Sequence, residues 1–123
     1  MSTNFEEPQH THHQRNQLEA EILRLYPSIP ELDLRATLDH TLEDGCQRVG
    51  TNTNLPLADR ARRAVCAHVR HNHTLYDELL AGYLANDEPE DARVSARFAV
   101  ERRIRSTLRV WSKPKKQRKN LRR

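Results

Sequence analysis

The sequence predicts an all-α fold: a small single-core bundle of about five helices with disordered N-terminal and basic C-terminal tails. Three observations lead there. Apolar residues recur at helical spacing in several separate windows. No window sustains the period-2 alternation of a strand, and no Asn-Gly hairpin signal occurs. The 123 residues suffice for one domain, and a composition of 36% hydrophobic and 31% charged residues allows one modest core.

Residues 1–10 are polar, contain Pro8 and are expected to be disordered, within a disordered polar N-terminus spanning 1–15. A first helix is expected from about Thr11, with Leu18, Ile22 and Leu25 as its apolar stripe. Tyr26-Pro27 closes it, because a residue before proline avoids the α region. Ser28-Ile29-Pro30-Glu31 reads as a capping box for a second helix, whose buried face is Leu34, Leu38 and Leu42 and whose C-cap glycine is Gly45. The segment from Cys46 to Asn54 reads as a loop. A third helix from about Pro56 to His71 places Leu57, Ala61, Ala64, Val65 and His68 on one face and Arg60, Arg63 and Arg70 on another. Thr74 and Asp77 form a second capping box for a short helix reaching Gly82. Asn86 or Asp87 is the expected cap of the last and longest helix, with Pro89 in its first turn and Glu88, Glu90 and Asp91 at the positive end of its dipole. Ala92, Ala96, Val100, Ile104, Leu108 and Trp111 make its apolar stripe, Arg102, Arg105 and Arg109 a basic one, and Pro114 ends it. The third and last helices are expected at the centre of a domain spanning residues 16–112, followed by a tail over 113–123.

The formal net charge of +4 is unevenly distributed. From Arg102 onward there are 11 basic residues and no acid, whereas residues 1–101 carry 10 basic against 17 acidic residues, a net of −7. An acidic body thus ends in a basic segment. No run reaches the roughly 20 apolar residues of a membrane span, and residues 1–15 lack the apolar core of a secretory signal. Glu6 and Glu7 argue against a mitochondrial presequence. Cys46 and Cys66 are expected as reduced thiols, and the expected location is intracellular: nuclear in a eukaryote, otherwise cytoplasmic.

The string Arg48-Val49-Gly50, then Leu57, then Ala64 through His71, then His73-Thr74, Tyr76-Asp77 and Leu79-Leu80, resembles the signature of an uncharacterised domain family of bacterial and fungal proteins. That signature runs R-V-G, then A-V-x-A-H-[IV]-R-H, then T-x-Y-D-x-L-L. Ala92-Arg93 and Trp111 resemble its later helix. The resemblance covers about residues 18 to 112 and departs after Gly82, where Tyr83-Leu84 and an acidic stretch replace a directly following basic helix. It implies a domain boundary, and marks Arg48, Gly50, His68, Arg70, His71, Thr74, Tyr76 and Asp77 as a signature cluster without assigning them a role.

Three constellations invite chemistry. His68, His71 and His73, with Asp77 beside them, have spacing that lets His68 and His71 converge on one metal ion from a helix face. Cys66 points about 200° away from His68 around that helix and is a poor co-ligand. The plainer reading makes His68 a hydrogen-bonded core histidine, Thr74 and Asp77 caps, and Tyr76 a packed ring. Arg48 with Gly50 suits either an ion pair with an acid such as Asp39 or a phosphate grip. The tail, with seven basic residues among Lys113–Arg123, contains Lys115-Lys116-Gln117-Arg118, a nuclear-import pattern that also suits a phosphate backbone.

No hydrolase elbow, phosphate-binding loop or H-E-x-x-H zinc motif is present, so no catalytic residue, resident metal or cofactor is assigned, and the chain is not read as an enzyme. The reading that follows is a nucleic-acid-associated module. DNA or RNA phosphates would be held by Arg48, Arg60, Arg63, Arg70, Arg102, Arg105, Arg109, Lys113, Lys115, Lys116, Arg118 and Lys119. Two alternatives stay open: a protein-interaction module whose tail serves only import, and an enzyme or metal site at His68, His71, His73 and Asp77. No membrane partner is expected.

Overall fold

A computed structural model describes residues 6–42 and 54–115. Among them are five helices and no strand: α1 (Glu6–Leu25), α2 (Glu31–Thr41), α3 (Leu57–Asn72), α4 (Tyr76–Leu84) and α5 (Pro89–Trp111). The all-α bundle predicted from the sequence is the observed one. Gly45, Cys46, Arg48, Gly50, Lys116, Arg118 and Lys119 lie outside the described residues.

The apolar stripes pack where the periodicity places them. Leu18 and Ile22 of α1, Leu34 and Leu38 of α2, Ala61, Val65 and Val69 of α3, and Ala96, Val100, Ile104 and Trp111 of α5 form one core with Tyr26, Ile29 and Tyr76. Helix α3 is the hub, touching all four other helices. The expectation of two central helices is therefore halved, because α5 packs mainly on α4 and only secondarily on α3. Among the described residues no helix is long and apolar enough to cross a membrane.

The helix starts depart from the sequence reading for one recurring reason. A Ser28 cap would need Ile29 in helical conformation, and the following Pro30 disfavours it. Pro30 itself becomes the extended N-cap of α2, without a side-chain cap bond. The same argument displaces the cap of α5 from Asn86 or Asp87 to Glu88, extended at ψ 150°, with Pro89 as the first helical residue. Ser28 is used elsewhere. Its backbone N–H donates to Trp111 O at 2.9 Å and its Oγ to Lys113 O at 2.6 Å. It thereby supplies hydrogen-bond donors at the C-terminal end of α5, where carbonyls lack intrahelical donors. The α1–α2 turn is thus tied to the end of α5.

Two boundaries move outward. Helix α1 starts at Glu6, before the expected Thr11 and inside the segment expected to be disordered; its first turn carries Pro8, which is tolerated there. Helix α4 continues past Gly82 to Leu84, since a helical glycine lowers but does not abolish propensity.

Candidate functional site

The end of α3 and the turn into α4 hold most of the signature residues, and the fold sorts them into two groups. His68 is on the inward face of α3 and is buried, as its place in the apolar stripe predicts. The Asn72 side-chain amide, one turn on, donates to His68 Nδ1 at 3.2 Å and to the His68 carbonyl at 3.1 Å. With Nδ1 accepting, the ring proton resides on Nε2. That Nε2 donates to Asp33 Oδ1 on α2 at 2.7 Å. His73, the C-cap of α3, brings its own Nε2 to the same oxygen at 2.6 Å.

Asp33 is thus the centre of a three-residue cluster drawn from two helices and a helix terminus. The His68 and His73 rings meet edge-on with centroids 5.6 Å apart, and His73 meets the Trp111 ring edge-on at 5.6 Å. Burial raises the affinity of the Asp33 carboxyl for its proton, but the hydrogen bonds and charges of His68 and His73 outweigh it and hold the carboxyl below its ordinary range. The Asp33 side chain keeps 16% exposure and that of His73 38%, so the cluster reaches the surface on its His73 side.

His71 belongs to the other group. Its Nδ1 lies 2.8 Å from Asp77 Oδ1, and its ring meets Tyr76 edge-on at 5.4 Å. The expected convergence of His68 and His71 on one point does not occur: one ring turns inward to α2 and the other outward to Asp77. The reciprocal capping box is likewise only half made. Thr74 Oγ1 accepts from the Tyr76 N–H at 3.1 Å and donates to the Arg70 carbonyl, joining the last turn of α3 to the first of α4. Asp77 is taken by His71, and the N-cap residue itself, Leu75, makes no side-chain cap bond.

The arginines also separate by role. On α3, Arg60 Nε donates to the Leu55 carbonyl at 3.2 Å, and Arg70 lies over the Tyr76 ring at 5.6 Å with Nη2 3.7 Å from Cys66 Sγ. Arg70 Nε is buried without a hydrogen-bond partner among the described residues. Cys66 is a free thiol. Arg63 faces solvent. Asp39, considered for Arg48, is paired with Arg15 at 2.9 Å.

On α5 the picture differs. Arg102, Arg103, Arg105 and Arg109 are all exposed, as are Lys113 and Lys115 beyond the helix. Arg105 pairs with Glu101, the last acid in the chain; among the described residues no acid pairs with Arg102, Arg103 or Arg109. Phe98, one turn before Arg102, is 79% exposed. A shallow groove runs beside this face, lined by Ala99, Arg102, Arg103, Ser106, Thr107 and Val110.

Sequence reasoning missed Asp33 and Asn72. The available signal was the row Asp33, Thr37 and Thr41, one position ahead of the Leu34/Leu38 row; Thr37 and Thr41 are buried, so the inner face of α2 carries a polar ridge beside its apolar one.

The model of a family described as an uncharacterized conserved protein (DUF2293) matches residues 21–112. The match takes in Asp33, His68, Asn72, His73 and Trp111 and leaves out the tail from Lys113 on. No curated protein and no solved structure matches the chain.

Proposed function

The chain belongs to the DUF2293 family, and from that premise we propose that it is a nucleic-acid-associated helical module that grips the phosphate backbone with the C-terminal half of α5 and the residues that follow. One observation carries the reading: six exposed cations, Arg102, Arg103, Arg105, Arg109, Lys113 and Lys115, occur where the chain has no acid after Glu101. Such a one-signed face attracts polyanions, and it leads directly into further basic residues, Lys116, Arg118 and Lys119. Phe98 adds an exposed aromatic face suited to stacking on an unpaired base.

The α3 arginines Arg60 and Arg70 contribute less to this reading, because the fold already uses them. Phosphate contacts of this kind position a protein without reading sequence, so the binding is expected to be salt-sensitive and nearly indifferent to base sequence.

Fluorescence-anisotropy titration of the full chain and of a 1–115 truncation, against duplex DNA and single-stranded RNA at two salt concentrations, tests it. The truncation keeps all five helices and the Lys113 carbonyl that Ser28 engages. Binding by the truncation supports the α5 face. Binding confined to the full chain reduces the activity to its tail, and no binding by either discards the reading.

A further inference from the structure

We propose that Asp33, His68 and His73 form a binding site for a divalent transition-metal ion of the zinc class. The three residues each offer one donor atom, and these atoms lie within 4.8 Å of one another. Among the described residues they are the one such set of three His, Cys, Asp or Glu side chains.

The donor chemistry selects the metal. Two imidazoles and one carboxylate suit zinc and its neighbours, whereas magnesium and calcium favour oxygen-rich shells. Ligands about 2.1 Å from a tetrahedral ion stand about 3.4 Å apart. The two Nε2–Oδ1 separations of 2.7 and 2.6 Å therefore open by under about 1 Å. Small rotations of His73, which is partly exposed at the end of α3, supply most of that change.

The surroundings fit as well as the donors. A metal on Nε2 requires the His68 proton on Nδ1. Rotation of the Asn72 amide by half a turn, which gives up its bond to the His68 carbonyl, then presents its oxygen to that N–H, giving the outer hydrogen bond that fixes a ligating imidazole. The Trp111 ring packs against His73 and limits its rotation. Three protein ligands leave one coordination position, which the partial exposure of His73 leaves open to water. The set differs from the H-x2-H-x-H string in the sequence: His71 and Asp77 are outside it, and Asp33 comes from a helix 35 residues earlier than His68.

Isothermal titration of chelator-treated full-length protein with Zn²⁺, alongside the visible spectrum with Co²⁺, tests the site. One equivalent is expected with dissociation constant in the micromolar range or below, together with a ligand-field spectrum of low coordination number. His73→Gln is expected to weaken binding at least tenfold and to change the Co²⁺ spectrum, while His71→Gln changes neither. Circular dichroism confirms that each variant is folded; Asp33→Asn, which keeps the side-chain shape, serves as the second ligand variant. The proposal is overturned if folded protein takes up no metal. It is equally overturned if binding survives both His73→Gln and Asp33→Asn, a result that would place the ion outside this cluster.

Discussion

Asp33 and Arg102 are both charged and both sit on helices, yet they stand in opposite circumstances. Asp33 has its carboxylate largely enclosed, with two imidazole donors on one oxygen and the packing of α2 against α3 around it. Arg102 faces solvent among other cations, and no acid among the described residues answers it. The inward cluster is defined by pairwise geometry, so each member matters individually. The outward face is defined by summed charge, so its members are interchangeable and matter together. Substitutions at the two places should separate cleanly into effects on folding and effects on polyanion binding.

The largest effect on stability is expected from Asp33→Ala. It strips the acceptor from the His68 and His73 N–H groups, and leaving the enclosed His68 donor unpaired, together with the lost His73 bond, should cost about 3 kcal/mol in urea denaturation. His68→Ala is expected to cost about 1–3 kcal/mol through lost packing and the lost bond to Asp33. A neutral result for either would mean that water substitutes for the missing partner and that the corner is not sealed.

Acid probes the same carboxylate without mutation. Because Asp33 holds its proton less tightly folded than unfolded, its contribution is complete above the ordinary carboxylate range near 4. It is lost as the pH falls through the lower folded value, where the folded carboxylate is finally protonated. The wild-type chain should therefore lose stability as the pH falls below the ordinary carboxylate value of about 4, and Asp33→Asn should lose less over the same descent. Parallel profiles for the two proteins would remove Asp33 as a source of the acid sensitivity.

Smaller still is the effect of His71→Ala. The His71–Asp77 pair is exposed on both sides, and exposed pairs contribute no more than about 1 kcal/mol. A loss as large as that of His68→Ala would erase the distinction between the two histidine groups. The combined variant Arg102→Gln, Arg105→Gln, Arg109→Gln should shift the melting temperature least, by no more than about 2 °C, since its one lost ion pair, Arg105–Glu101, is exposed and the other two positions pair with no acid among the described residues.

The same contrast explains what the sequence disclosed. Helical periodicity identified the stripes Leu18/Ile22, Leu34/Leu38 and Ala92 to Trp111, because local spacing determines which face can be buried. It placed His68 inside for the same reason. The caps at Ser28 and Asp87 were misread because the proline two residues on restricts the residue between them, a constraint that outweighs cap preference. Asp33 was not legible as the partner of His68 and His73. That meeting depends on how α2 crosses α3, which local pattern does not encode. The arginine stripe on α5 was legible, since exposure of a polar face follows from the burial of the opposite one. The engagement of Arg60 and Arg70 with their own helix surroundings was not, because it depends on the Leu55 carbonyl and on the Tyr76 ring brought in by α4.

The most direct test of the central claim is the salt dependence of duplex-DNA binding for the full chain and for the variant with Arg102, Arg105 and Arg109 all replaced by glutamine. The account predicts a folded variant whose slope of log K against log salt is less negative by about 2.7, three phosphate contacts at roughly 0.9 each, with the same loss on unrelated sequences. A variant that keeps the affinity and slope of the unaltered chain would contradict it.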